Sequence, residues 1–261
     1  MNSIDKIVNL EKHPINKLNE YVDNCRHKLN KDHILILDNF LTLDSLKNIE
    51  IEAEMLKNKA YYCSQLHTIL LNKKDKNLDH KDPCNIEVKS DKGCVPHDLI
   101  PINSYLNILY NSNEFRNFIK SILNLKNIYP YKDTLSSINY NYYNKNQQLG
   151  WHFDNASFAI TLMISSPTKG GIFQFFTHGR DYENNYIDKG LIKNVLEEKV
   201  KINKLKVNPG TLVFFFGRNY LHRVTPIKSE KGRILVTLNY NSEEGVSLSK
   251  NARKTFFGRL N

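Results

Sequence analysis

Apolar positions follow two different rhythms along the chain. Up to about residue 125 they recur at helical spacing. INKLNEYVDNCRHKLN (15–30) and LDSLKNIEIEAEMLKNK (43–59) each set an apolar stripe against a polar face, and a helical pattern returns over about 99–124, ending in NEFRNFIKSILN. Between the first two, HILILDNFL (33–41) is the short continuous run of a buried strand, with Thr42 and Asp44 behind it as candidate N-caps. Residues 72–98 are rich in Lys and Asp and keep no period, so a long loop is expected there.

From about residue 134 the texture changes to short β-branched or aromatic segments. These are SINYNYY (137–143), FAITLMI (158–164), GIFQFF (171–176), TLVFFF (211–216), HRVTPI (222–227) and RILVTLNY (233–240). Turn chemistry (NKNQ, PTKGG, NPG, SEKG) separates them, and residues 186–200 interrupt the series with a short helix or insertion. Many short strands joined by such turns predict an antiparallel sandwich or jelly roll with helices on one side. No repeat or Gly/Ser linker divides the chain. The expected organisation is α+β and a single domain over 1–261, with 1–125 as a mainly helical support and 126–261 as the jelly-roll core.

Composition narrows the function classes. The 261 residues carry 40% apolar and 25% charged side chains, ordinary values for a globular protein. The longest apolar runs fall far short of the roughly 20 residues of a membrane helix. The start, MNSIDKIVNLEKH, has no apolar signal-peptide region, and four cysteines without tight spacing fit a reducing compartment. A cytoplasmic location is expected. The formal charge of +10 raises a nucleic-acid partner, but Lys is scattered over loops and helix faces, and even Lys73, Lys74 and Lys76 are interrupted by Asp75. A solvated basic surface is the simpler reading.

Candidate chemistry gathers in the β half. In a strand, His152 and Asp154 share a face while Phe153 points the other way. His222 heads a later strand, which a barrel can bring opposite the first. Two imidazoles and one carboxylate on one face leave the opposite positions of an octahedral metal open, as in non-haem Fe(II) oxygenases. Eleven residues after His222, Arg233 opens the apolar strand RILVTLNY, where a cation is costly unless it meets an anion. An open metal plus a buried Arg suits a co-substrate with a chelating end and a distal carboxylate, the shape of 2-oxoglutarate.

These segments resemble the Fe(II)/2-oxoglutarate-dependent oxygenases. GWHFDNASFAITLMI (150–164), the PTKGGIFQFF hairpin, NPGTLVFFFGRNYLHRVTPI (208–227), GRILVTLNYN (232–241) and KNARKTFFGR (250–259) are similar, more narrowly, to the group of free-lysine halogenases and amino-acid hydroxylases. The resemblance covers roughly 135–259, with a looser match at NFLTLDSL (39–46), and implies a distorted double-stranded β-helix. It implies iron ligands His152, Asp154 and His222, with Arg233 on the distal carboxylate of 2-oxoglutarate. Tyr143 and Asn141 fall where the family places co-substrate contacts. Thr237 and Asn239 share the strand face of Arg233 by parity, while Leu235 stands where many relatives carry a hydroxyl. Trp151 and Phe153 read as packing beneath the ligands. Asn155, Arg180 at the hairpin exit, and Phe256 and Phe257 near the C-terminus are candidate substrate contacts.

Halogenases of the group carry Gly or Ala in place of the carboxylate ligand, freeing a metal position for halide. Asp154 occupies that position here. The resemblance therefore implies hydroxylation of a small amino acid or derivative, with O2 as co-substrate, succinate and CO2 as by-products, and ascorbate supportive in vitro. Two rivals stand beside it: an oxygenase acting on a protein or nucleic acid, and a non-catalytic jelly-roll binding module. The second Arg of nucleic-acid demethylases, six residues after the first, is absent, since position 239 is Asn. The triad with Arg233 is more than a binding module needs. His80, Cys84, Cys94 and His97 are a weaker candidate, for a zinc clip in the polar loop. Asp133 is the nearest acid for a cationic substrate.

Overall fold

The computed structural model describes residues 4–17 and 20–261. Its first part alternates helices and strands: α1 (Glu20–Asp32), β1 (Ile34–Leu37), α2 (Leu43–Leu56), β2 (Tyr61–His67), β3 (Val88–Val95), α3 (Tyr105–Asn111) and α4 (Asn113–Ile122). The second is strand-rich. β4 (Tyr129–Pro130), β5 (Ile138–Tyr143), β6 (Leu149–His152), β7 (Ala159–Ser165), β8 (Phe173–Phe176), β9 (Arg180–Asp181) and β10 (Tyr186–Ile187) precede α5 (Lys189–Leu196). β11 (Asn203–Leu205), β12 (Leu212–Phe215), β13 (Leu221–Val224), β14 (Arg233–Leu238), β15 (Tyr240–Asn241) and α6 (Lys250–Phe257) complete it.

Local chemistry explains the helix ends. Thr42 caps α2, its hydroxyl accepting from Ser45 N at 3.2 Å, and Ser112 caps α4 by accepting from Phe115 N at 3.1 Å. In α4, Phe115, Phe118, Ile119 and Ile122 are buried at the i, i+3, i+4, i+7 spacing of one face. Gly258 ends α6 at φ 71°, where a Cβ would also strike the Tyr61 ring.

Two antiparallel sheets face each other. The larger runs β1-β12-β7-β14-β5-β3-β2 and the smaller β11-β8-β13-β6. Strand parity divides the large sheet. In β5, β7, β12 and β14 the even-numbered residues, such as Tyr140, Leu162, Phe214 and Val236, pack with the helices in the main core. Their odd-numbered neighbours, such as Asn141, Met163, Val213 and Leu235, line a cavity between the sheets. Tyr142 OH donates to Ala53 O at 2.7 Å, which ties the sheet to α2. This is the expected α+β fold, a distorted double-stranded β-helix backed by helices.

Two expectations need correction. The loop expected over 72–98 holds only to about 87, because Val88–Val95 is a strand paired along its length with β2. Its cavity-facing residues, Ser90, Lys92 and Cys94, are polar or small, so no apolar alternation marks it. Strand β6 ends at His152, so Asp154 lies just beyond it. No helix among the described residues is long and apolar enough to cross a membrane.

Candidate metal centre and its cavity

His152 and His222 are directly opposite partners of the antiparallel β6–β13 pair, with ring centroids 4.1 Å apart. Asp154 is turned toward them by the chain leaving β6. Phe153 N donates to Ile69 O at 2.8 Å and Asp154 N to Gly217 O at 2.9 Å. Position 217 must be glycine, since a Cβ there would lie 1.8 Å from Asp154 Oδ2. Trp151 and Phe153 point the other way, into a satellite core with Ile69, Ile192, Val195 and Leu221, as expected.

The proton positions follow from the partners. His152 Nδ1 lies 2.8 Å from Gly150 O, and His222 Nδ1 lies 2.9 Å from Tyr220 O. A carbonyl only accepts, so each Nδ1 carries a hydrogen and each ring turns its Nε2 inward. Those Nε2 atoms lie 3.4 and 3.6 Å from Asp154 Oδ1, and the three ligand atoms sit within 4.8 Å of one another. Burial, and then His222, lower the His152 pKa and favour the neutral ring. Burial opposes ionisation of Asp154, but the imidazoles, His222 foremost, outweigh it and hold the carboxyl well below the usual range. Two imidazole Nε2 atoms and one carboxylate thus converge, which is the donor set of a divalent cation.

A second feature lies across the cavity. Arg233, 3% exposed, opens β14 directly opposite Tyr143 on β5, and its guanidinium sits 5.3 Å from that ring's centroid. Its Nε and Nη1 are buried without a hydrogen-bond partner. Burial lowers its pKa, the direction expected for a cation without an anion. A buried guanidinium with unmatched donors fits an anion such as a carboxylate.

The cavity measures about 320 Å³. Of the expected residues, Thr237 and Asn239 line it, as strand parity implied, and so do Tyr143 and Asn141. Asn155, Phe256 and Phe257 also line it. Arg180 does not: it stacks on the far side of Phe153 at 4.7 Å and on Tyr182 at 5.2 Å, because the β8 hairpin exits behind the ligand strand. The proposed zinc clip is also dispersed. His80 pairs with Asp79 in an exposed loop, Cys84 packs in the satellite core, Cys94 faces the cavity and His97 meets Asn107. Asp133 is committed elsewhere, accepting from Leu135 N, Ser136 Oγ and Leu248 N. The sequence reading missed Lys92, which lines the cavity from β3.

Several solved structures share this fold. An oxidoreductase of the 2OG-Fe(II) oxygenase family from Burkholderia pseudomallei is 13% identical, with a TM-score of 0.56 over 88% of this chain and 96% of that one. A Trichoplax adhaerens prolyl hydroxylase, solved with a hypoxia inducible factor peptide fragment, is 12% identical, with a TM-score of 0.54 over 93% and 97%. A Pseudomonas putida prolyl-4-hydroxylase is 13% identical, with a TM-score of 0.51 over 83% and 96%. At such identities the likeness speaks for the fold. No curated protein matches the sequence. The sequence model of one family, Halogenase D, matches residues 18–257, nearly the whole chain, and the protein belongs to that family.

Proposed function

We propose that this protein is an Fe(II)- and 2-oxoglutarate-dependent dioxygenase that hydroxylates a C–H bond of a small amino acid or amino-acid derivative. The observation that carries the reading is the convergence of His152 Nε2, His222 Nε2 and the Asp154 carboxylate on one point of the cavity wall. Fe(II) held there, with 2-oxoglutarate and O2, supplies the oxidising power for C–H hydroxylation, 2-oxoglutarate leaving as succinate and CO2.

The chain's own residues do the rest. Gly150 O and Tyr220 O hold each imidazole by its Nδ1, which leaves Nε2 aimed at the point where the metal would bind. Arg233 receives the distal carboxylate of 2-oxoglutarate on its guanidinium, and Tyr143 and Asn141 flank that end. Met163, Val213, Phe215 and Leu235 keep water from the reacting centre. Asn155, Thr237, Asn239, Phe256 and Phe257 face the space left for substrate.

Membership of a family named for halogenation makes Asp154 the deciding residue. A carboxylate on the metal takes the position a halide would need, so the reading is hydroxylation. The test is succinate formation from 2-oxoglutarate with Fe(II) and ascorbate, screened against free amino acids in chloride buffer. The expected product gains an oxygen. A chlorinated product, or undiminished metal binding in His152→Ala, overturns the reading. In His152→Ala, Fe(II) affinity is expected to fall by more than about 100-fold, beyond the loss typical of removing a group that only orients a ligand.

A further inference from the structure

Among the described residues, three charged side chains other than imidazoles line the cavity: Asp154, Arg233 and Lys92. The first two have roles in the reading above; Lys92 has none. Its placement is set by strand register. Gly93 faces Tyr142 and Cys94 faces Asn141, so Lys92 falls beside Tyr143, which is itself opposite Arg233. Lys92, Tyr143 and Arg233 therefore form one row across three strands. Strand spacing separates the backbones of the two cations by about 10 Å, room for two different anionic groups.

The Lys92 ammonium makes its contacts with neutral groups. Nζ donates to Asn141 Oδ1 at 2.6 Å and lies 4.9 Å from the Phe256 ring centroid. Among the described residues it forms no ion pair. Burial works against its charge, but Tyr143, then Cys94, Cys63 and Asp154, favour the protonated form. A charged amine held in a cavity by one amide and one ring face lacks a counter-anion.

The rest of the polar lining bears on substrate charge. Asn139, Asn141, Asn155 and Asn239 contribute uncharged amides, and Asp154, the single carboxylate of the lining, belongs to the metal triad. A substrate with a cationic side chain would meet two fixed cations and no free acid. Resting on the oxygenase reading, we propose that Lys92 takes up a carboxylate of the substrate, and that the substrate is a neutral-side-chain or acidic amino acid and not a cationic one. Asn141 is then the residue that aims the ammonium.

The experiment is calorimetric titration of the full chain, loaded anaerobically with Fe(II) and 2-oxoglutarate, with L-norleucine, L-glutamate, L-lysine and norleucine amide. Norleucine or glutamate is expected to bind, and more tightly than lysine. In Lys92→Met that binding weakens by at least about tenfold, the value of a charge-assisted hydrogen bond. The amide, lacking the carboxylate, binds wild type no better than the variant. Affinity for 2-oxoglutarate in Lys92→Met, measured separately, reports both the fold and the role, and is expected to change far less. Tighter binding of lysine, unchanged binding in Lys92→Met, an equal loss of 2-oxoglutarate affinity, or no binding of any of the four compounds overturns the proposal while the oxygenase reading stands. Failure of the wild type to bind Fe(II) or 2-oxoglutarate overturns both.

Discussion

The helical support and the inner cavity bury polar groups on opposite terms. On the helical side, Ser45 Oγ donates to Ile7 O at 2.8 Å, and Glu52 Oε1 accepts from both Tyr140 OH at 2.7 Å and Ser104 Oγ at 2.8 Å. His13 is held between Tyr21 OH and Asp38 O. Arg116 is a partial exception, with Nε unmatched but Nη2 donating to Asn111 O. On the cavity side, Arg233 keeps two buried donors without partners, Lys92 forms no ion pair among the described residues and the triad gathers three ligand atoms within 4.8 Å of one another. Unmatched buried polar groups cost about 1–3 kcal/mol each, so a fold keeps them where a ligand completes the set. The helical side is finished by the chain itself; the cavity is finished by what binds in it.

The contrast can be broken most forcefully on the helical side. Phe118 is fully buried, 6.1 Å from Phe214 and 6.3 Å from Tyr21 between ring centroids. Phe118→Ala is expected to cost about 3–5 kcal/mol. At a few degrees per kcal/mol for a chain of this size, the thermal midpoint should fall by roughly 10 °C. Binding of 2-oxoglutarate by the folded fraction should be unchanged by titration. A matching loss of affinity would show that the two regions are not separate in their energetics.

Arg233→Met tests the cavity. Removing the fork should weaken 2-oxoglutarate binding by about 2–4 kcal/mol, or roughly 30- to 1000-fold. The same substitution removes a buried, unmatched charge, so the ligand-free protein should melt higher than wild type. A lower ligand-free midpoint would mean that Arg233 is already satisfied without ligand.

The smallest effect concerns pH. Burial is the main cause lowering the His13 pKa below its ordinary 6.5, so the unfolded chain takes up a proton more readily than the folded one. The contribution of neutral His13 is therefore present above pH 6.5 and is lost as pH falls below it. Gln can donate to Asp38 O and accept from Tyr21 OH without titrating. His13→Gln should accordingly gain stability relative to wild type between pH 6.5 and 5, read as the denaturant midpoint. A constant difference across that range would remove His13 from the account.

Much of this was legible in the sequence because local rules were in force. Thr42 caps the helix it was expected to cap, and the even–odd alternation of 233–239 divides core from cavity as expected. The β2–β3 hairpin was not legible for a physical reason. Hydrophobic period marks a strand only when one face meets an apolar core, and the inward face of β3 meets a polar cavity instead. Lys92 was hidden with it, and the only trace was a Ser-x-Lys-x-Cys alternation inside a Lys-rich stretch. Arg180 failed differently, because sequence position gave the end of a hairpin but not the side of Phe153 on which it would lie.

The sequence by itself determined the fold class, the neighbouring donors His152 and Asp154 and the strand face of Arg233, because strand parity and turn chemistry act over a few residues. The tertiary structure alone decided that β3 joins the large sheet beside Tyr143. It alone decided that His222 lies directly opposite His152, and that Asp154 is the single carboxylate among the described residues of the lining. These are contacts between segments tens of residues apart, and no local period carries them.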